Sequence, residues 1–218
     1  MRAMCKTLAL VGLMVCAALA VARAADEPQK AQPAQPAQTA QPGQAGQPNQ
    51  AQMMAEMMKL AAPGPYHEKL KAFVGKWTAD VTTTMMPGGP EEKSTGMMTN
   101  EMILGDRYLK QNYEGTMMKM PFRGGGIVGY DNVKKKYTSL WVDEMSTQMM
   151  IAEGTMDESA KTITMSSTFD CPMDNAKHTM RQVITMVDDD HHTYEMFDTG
   201  PDGKETKALT IKYTRAKE

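Results

Sequence analysis

The sequence predicts an all-β domain, an antiparallel up-and-down barrel of about ten strands behind one short helix. Three observations carry this. From residue 75 onward, apolar side chains recur at every second position, the period of a strand with one buried face. The runs are short, and turn pairs such as Gly105-Asp106, Asp131-Asn132 and Asp202-Gly203 separate them. These residue types tolerate positive φ or bond their own backbone. Helical spacing, by contrast, is confined to residues 53–74.

Taken in order, residues 1–24 read as a secretory signal. Arg2 and Lys6 open it, residues 7–21 form an apolar run short for a membrane span, and Ala22-Arg23-Ala24 places small residues where a signal peptidase reads. Cleavage after Ala24 is the expectation, with an uncleaved anchor as the alternative. Cys16 follows Leu13-Met14-Val15, and a lipobox needs a small residue before its cysteine. The expected location is therefore the periplasm or the exterior, with no transmembrane segment after cleavage. Loss of the signal leaves Cys171 as the lone cysteine, so the fold has to be held by its core rather than by an internal disulfide. It also removes three cations, Arg2, Lys6 and Arg23, which takes the formal net charge from −2 to −5. That balance argues against a nucleic-acid partner.

Residues 25–52 repeat Gln, Pro and Ala and have too few apolar side chains to offset the entropy of ordering, so they read as a disordered, semi-stiff linker. Residues 53–62, with "MMAEMMKL", read as a short helical segment ended by Pro63 and Pro65. Residues 63–218 are of the right length for one domain with one core. Residues 66–74 have helical spacing, with Leu70, Phe73 and Val74 on one side. Trp77, Ala79, Val81 and Thr83 then alternate with polar residues in the first strand, which "PGGP" breaks. Further strands are expected at 95–104, 108–116, 122–130, 136–143, 149–156, 162–170, 178–187, 193–199 and 208–215. So long a meander closes into a barrel or folds into a sandwich; closure removes exposed edges, and the barrel is the expectation.

Gly75-Lys76-Trp77 lies between the helix and the first strand, and Arg215 ends the last strand. This arrangement resembles the lipocalin-like (calycin) barrels. The resemblance implies a structural set of Gly75, Trp77 and Arg215, with the arginine lying across the indole at the closed base. A guanidinium stacks well on an indole face and can cap carbonyls at a strand end. The segments "HEKLKAFVGKW", "GGGIVGYDNVKKKY", "WVDE", "AEGTMD" and "IKYTR" together resemble the domain of unknown function 1579 family over most of residues 63–215. That resemblance implies a lipocalin-like barrel and carries no activity with it.

Tyr137, Ser139, Trp141 and Asp143 share one strand face by parity. Facing inward, such a polar-aromatic face would line a cavity; facing otherwise, it is a core tryptophan with a solvent-facing acid. The candidate ligand-binding residues are Tyr113, Tyr130, Trp141 and Asp143. Gly124-Gly125-Gly126 lacks the Lys-Ser/Thr and helix of a phosphate loop and reads as a barrel corner or a close approach. Methionine is abundant, 24 in the chain, often in pairs. A pair on a strand splits between the two faces and packs rather than chelates; only Met53, Met54, Met57 and Met58 have same-side helical spacing suited to Cu(I). Asp188 to His192 reads as a solvated turn before a metal site, and His178 as a satisfied core or rim histidine before an axial haem ligand. Cys171 has no nucleophile motif around it, zinc spacing is absent, and no catalytic set is visible among acids such as Glu101, Glu114 and Asp143. The expected function is the binding of a small apolar or amphipathic molecule inside the barrel, without a cofactor. The alternatives are a hydrolase- or isomerase-like enzyme using cavity acids and tyrosines, and a copper- or haem-binding protein.

Overall fold

The computed structural model describes residues 49–84, 88–157 and 161–217. The expected signal segment, the linker up to residue 48 and the pair Met85-Met86 lie outside the described residues.

Helix α1 spans Gln50–Ala61. It starts three residues before the expected position because Asn49 caps it. The Asn49 side chain accepts the Gln52 N–H at 2.9 Å, and the Gln52 side chain accepts the Asn49 N–H at 3.0 Å. Asn49 to Gln52 thus belong to the helix rather than to the linker. No α1 residue is buried. Its C-terminal carbonyls are held instead: Asn132 Nδ2 donates to Leu60 O and Ala62 O, and Arg107 Nε to Ala61 O. Among the described residues no helix is long and apolar enough to cross a membrane.

Helix α2 (Pro65–Leu70) begins with proline at its first turn and runs into a 3-10 turn, Lys71–Phe73. Ten strands follow: β1 (Gly75–Thr84), β2 (Glu91–Ile103), β3 (Tyr108–Met117), β4 (Met120–Asp131), β5 (Lys136–Asp143), β6 (Met150–Asp157), β7 (Thr162–Cys171), β8 (Ala176–Met186), β9 (His191–Thr199) and β10 (Glu205–Arg215). Each pairs antiparallel with its neighbours in sequence, and β10 returns to pair with β1, which closes an up-and-down barrel. Strand β2 starts four residues earlier than its apolar pattern does. Glu91 to Ser94 pair with Thr84 to Val81, a backbone ladder that asks nothing of the side chains. Turn chemistry behaves as expected at Gly105 (φ 64°) and Asp106 (φ 61°), and Asp131 accepts the N–H groups of Val133 and Lys134. The β3–β4 hairpin turns on Met118 (φ 51°) and Lys119 (φ 61°), without the usual Gly or Asn.

The α2 segment plugs the end of the barrel where β1 begins. Leu70 and Phe73 are buried there. Tyr66 stacks on Tyr130 at 4.3 Å between ring centroids, and Tyr137 donates its hydroxyl to Tyr66 O at 3.0 Å. Beside this plug, Trp77 is fully buried, and the Arg215 guanidinium lies 4.1 Å over its ring. The two residues face each other across the β1–β10 seam. Trp77 Nε1 donates to Phe73 O at 2.8 Å; Arg215 donates to Val74 O at 2.8 Å, to Ala72 O at 3.1 Å and to Asp189 O at 2.8 Å. Gly75 has φ 117°, and a Cβ there would stand 3.0 Å from Arg215 Nη1. The Gly-x-Trp spelling therefore meets a backbone requirement and a steric one at the same position.

Replacing Trp77 by alanine empties a fully buried indole site and should lower stability by roughly 3–5 kcal/mol in urea unfolding. An unchanged midpoint would show that the ring does not hold the base.

Candidate functional site

The barrel interior contains a cavity of about 240 Å³. It runs from Leu70 and Phe73 on the plug toward Asp143 and Thr116 at the other end. Its wall is mostly apolar, and methionine is a large part of it. Met98, Met117 and Met150 line the cavity, whereas their chain neighbours Met97, Met118 and Met149 are exposed on the outside. Alternation along β2 splits Met97 and Met98 between the two faces, while Met118 lies in the β3–β4 turn and Met149 just before β6. Met53, Met54, Met57 and Met58 all lie exposed on α1, more than half accessible.

Two aromatic side chains of the wall occupy space that glycines clear. A Cβ at Gly124 would stand 2.4 Å from Trp141 Cζ2, and one at Gly126 would stand 3.0 Å from Trp141 Cε3. Both glycines lie on β4, opposite Asp143 and Trp141 of β5. They let the indole lie flat against the neighbouring strand. This is the close approach that the Gly124-Gly125-Gly126 run allowed, made by the protein's own tryptophan. Gly96 and Gly115 do the same for Tyr113, whose hydroxyl would be 2.2 Å and 2.7 Å from Cβ atoms there. Burial raises the Tyr113 pKa and keeps the phenol protonated.

Of the four candidate ligand-binding residues, the structure brings Tyr113, Trp141 and Asp143 to the cavity wall. Tyr130 is elsewhere. It faces inward by parity but sits at the plug, stacked on Tyr66 and 5.1 Å edge-on from Tyr137, so it joins the helix to the barrel. Asp143 is already engaged: Oδ2 accepts from Trp141 Nε1 at 3.0 Å and Oδ1 from the Met145 N–H at 2.9 Å. Glu101 and Glu114 point outward, and Glu101 pairs with Lys110 at 3.0 Å.

The sequence pattern did not single out the deepest polar group of the cavity. His192 ends the "DDDHH" run, and the run divides at the barrel wall. Asp188 bonds His191 at 2.8 Å, Asp189 O receives Arg215, and His192 turns inside. Its ring stacks on Tyr213 at 4.4 Å and meets Trp77 edge-on at 4.4 Å. Its Nδ1 is buried and makes no hydrogen bond within the described residues. Burial, helped by the charge of Arg215, lowers its pKa to about 4, so the imidazole is neutral at physiological pH. Tyr194 lies alongside, its hydroxyl on Met196 Sδ at 3.7 Å and its pKa raised by burial. Gln182 Nε2 likewise reaches only a thioether, Met150 Sδ, at 3.6 Å. Thioethers are weak acceptors, so the cavity holds polar groups with spare hydrogen-bonding capacity.

His178 sits at the rim rather than deep inside. Its Nδ1 lies 2.9 Å from both oxygens of Asp198, and its Nε2 lies 3.0 Å from Asp174 Oδ2. These two carboxylates raise its pKa.

The family model described as "Protein of unknown function (DUF1579)" matches residues 62–215. The chain belongs to the DUF1579 family. Among solved structures, it is similar to Rv2717c from M. tuberculosis, with 12% identity and TM-score 0.55 over 72% of this chain and 100% of that one. It is also similar to the S-type phycobiliprotein lyase CPES from Guillardia theta, with 14% identity and TM-score 0.51 over 70% of this chain and 93% of that one. At these identities the likeness is one of fold. No curated protein matches. This DUF1579 member is thus an all-β closed barrel with a methionine-rich wall and surface.

Two outcomes test the geometry. Between pH 6.5 and 4 the unfolded chain protonates at position 192 while the folded chain does not, so stability should fall with pH by about 3 kcal/mol from this residue. Urea unfolding at stepped pH should show a flatter slope in this window for His192→Gln than for the wild type. A Gly124→Ala variant should push the indole off β4, lower stability by about 1–3 kcal/mol, and shift the Trp141 indole resonance while sparing that of Trp77.

Proposed function

We propose that this DUF1579 protein is an exported lipocalin-like binding protein that holds one small apolar or amphipathic molecule in its barrel. The cavity carries the reading. At about 240 Å³ it falls just below the roughly 300–1,000 Å³ usual for ligand pockets, which favours a small or slender molecule. The apolar wall supplies the driving force for binding, and the thioethers adapt to an irregular shape. Tyr113 and Trp141 offer flat contact faces. At the deep end, the free Nδ1 of His192 and the hydroxyl of Tyr194 offer hydrogen bonds to a polar group on the ligand. Export rests on the pattern of residues 1–24.

The enzyme reading has less support. Asp143 is the acid of the three candidates that reaches the cavity, and both its oxygens already accept hydrogen bonds. A general base needs a free position facing the substrate.

The binding reading is tested with N-phenyl-1-naphthylamine, an apolar fluorescent probe. It should bind saturably with one site per chain. Met165→Trp should fill the cavity and weaken binding at least tenfold with the far-ultraviolet circular dichroism unchanged. Native mass spectrometry of freshly purified protein should show a bound small molecule, and the mature chain should begin at Ala25. Turnover in a hydrolase and isomerase substrate screen, abolished by Asp143→Asn, would replace binding by catalysis.

A further inference from the structure

At the rim opposite the plug, the β7–β8 hairpin gathers three different donor types within eight residues. Cys171 ends β7, Asp174 lies in the turn, and His178 lies in β8. A sulfur, a carboxylate oxygen and an imidazole nitrogen of these residues all lie within 4.8 Å of one another. We propose that Cys171, Asp174 and His178 form a binding site for one divalent transition-metal ion of the zinc class, with Asp198 as the residue that orients the histidine.

The arrangement of the partners supports this. The Ala176 N–H fixes Asp174 Oδ1 at 3.0 Å, which leaves Oδ2 directed at His178 Nε2. The Cys171 sulfur lies within 4.8 Å of the donor atoms of both Asp174 and His178. Asn175, with φ 56°, tightens the turn, and its N–H donates to Cys171 O at 2.9 Å. On its far side, His178 Nδ1 meets the Asp198 carboxylate of β9 at 2.9 Å. That is the carboxylate–histidine arrangement that fixes an Nε2-ligating tautomer in metal sites. Gly200 makes room for the ring, since a Cβ there would stand 3.2 Å from His178 Cε1.

The donor set selects the metal. One thiolate, one imidazole and one carboxylate suit zinc, which binds such ligands at roughly 2.0–2.3 Å and takes a fourth, often water, to complete a tetrahedron. Calcium and magnesium call for six or more oxygen ligands and fit poorly. Binding moves no electrons. The thiol proton of Cys171 and any proton on Nε2 pass to solvent, and the metal takes their place between sulfur, nitrogen and Asp174 Oδ2. Bound there, the ion would tie β7 to β8 directly and β9 through Asp198, at the mouth of the barrel. The spacing Cys-x2-Asp-x3-His is not a zinc-finger spacing, and sequence alone leaves Asp198 twenty residues away from His178.

Cobalt is the spectroscopic probe. Chelator-treated, reduced full chain titrated with Co(II) should bind one equivalent and show a thiolate-to-cobalt charge-transfer band with intense tetrahedral visible bands. One equivalent of Zn(II) should displace it. Cys171→Ser should abolish the charge-transfer band. His178→Gln should weaken Zn(II) binding at least tenfold. Asp198→Asn should weaken it about 10–100-fold while keeping the band, the signature of an orienting residue. Circular dichroism should show each variant folded, and Cys171→Ala serves if the serine variant is not. Absence of one-equivalent binding, or binding that survives both Cys171→Ser and His178→Gln unchanged, would overturn the proposal.

Discussion

The base of the barrel depends on the Arg215–Trp77 stack, because three separate requirements meet there. A closed barrel needs its first and last strands joined in register, and these two residues face each other across that seam. The plug ends in a 3-10 turn whose last carbonyls lack partners of their own, and the stack supplies them. Arg215 takes Ala72 and Val74, while Trp77 and Asn100 take Phe73. The guanidinium suits this work because it is planar, stacks on the indole and presents several donors in one plane. The turn before β9 adds the Asp189 carbonyl to the same cation. One side chain thus connects both chain ends of the barrel, the plug and a turn without a disulfide.

Above that base, the interior is shaped by what is left out as much as by what fills it. Gly124 and Gly126 leave a trough for Trp141, and Gly96 and Gly115 leave one for Tyr113. Each large ring is pressed against the wall beside its own strand instead of crossing the lumen. Much of the remaining volume is bounded by methionine and branched aliphatic side chains. An unbranched thioether yields where Leu or Ile would not, so such a wall can fit ligands of differing outline.

The polar groups of the interior fall into two sets. One is saturated: the two oxygens of Asp143 accept from the Trp141 indole and the Met145 N–H. The other is underused: His192 has a buried nitrogen without a partner, and Tyr194 and Gln182 reach only sulfur. A buried polar group without a partner is a standing cost, and a ligand that supplies the partner recovers it. The neutral state of His192 fits this arrangement, since a charged imidazole among Phe73, Trp77 and Tyr213 would be strongly disfavoured.

The sequence by itself determined the ten strands and the plug helix, and its resemblance to the lipocalin-like barrels implied the pairing of Gly75, Trp77 and Arg215 at the base. Period-two alternation and turn residues are local, and the stack uses residues at the two ends of the strand series. It also determined that strand methionine pairs split, since adjacent strand residues always face apart. It could not determine height along the barrel axis. Tyr130 and Tyr113 both face inward by parity, yet one braces the plug and the other lines the cavity, because the stagger between strands sets their level. Strand β9 also begins at His191, two residues earlier than the apolar pattern shows, so alternation turns His192 inside and His191 out. The stagger also brings Asp198 beside His178, which the twenty-residue separation conceals. The Met118-Lys119 turn gave no local signal either, because its positive φ values are imposed by the strands it joins. Parity follows from the chain alone, whereas level and neighbours depend on how all ten strands close around one another, and only the tertiary structure decides that.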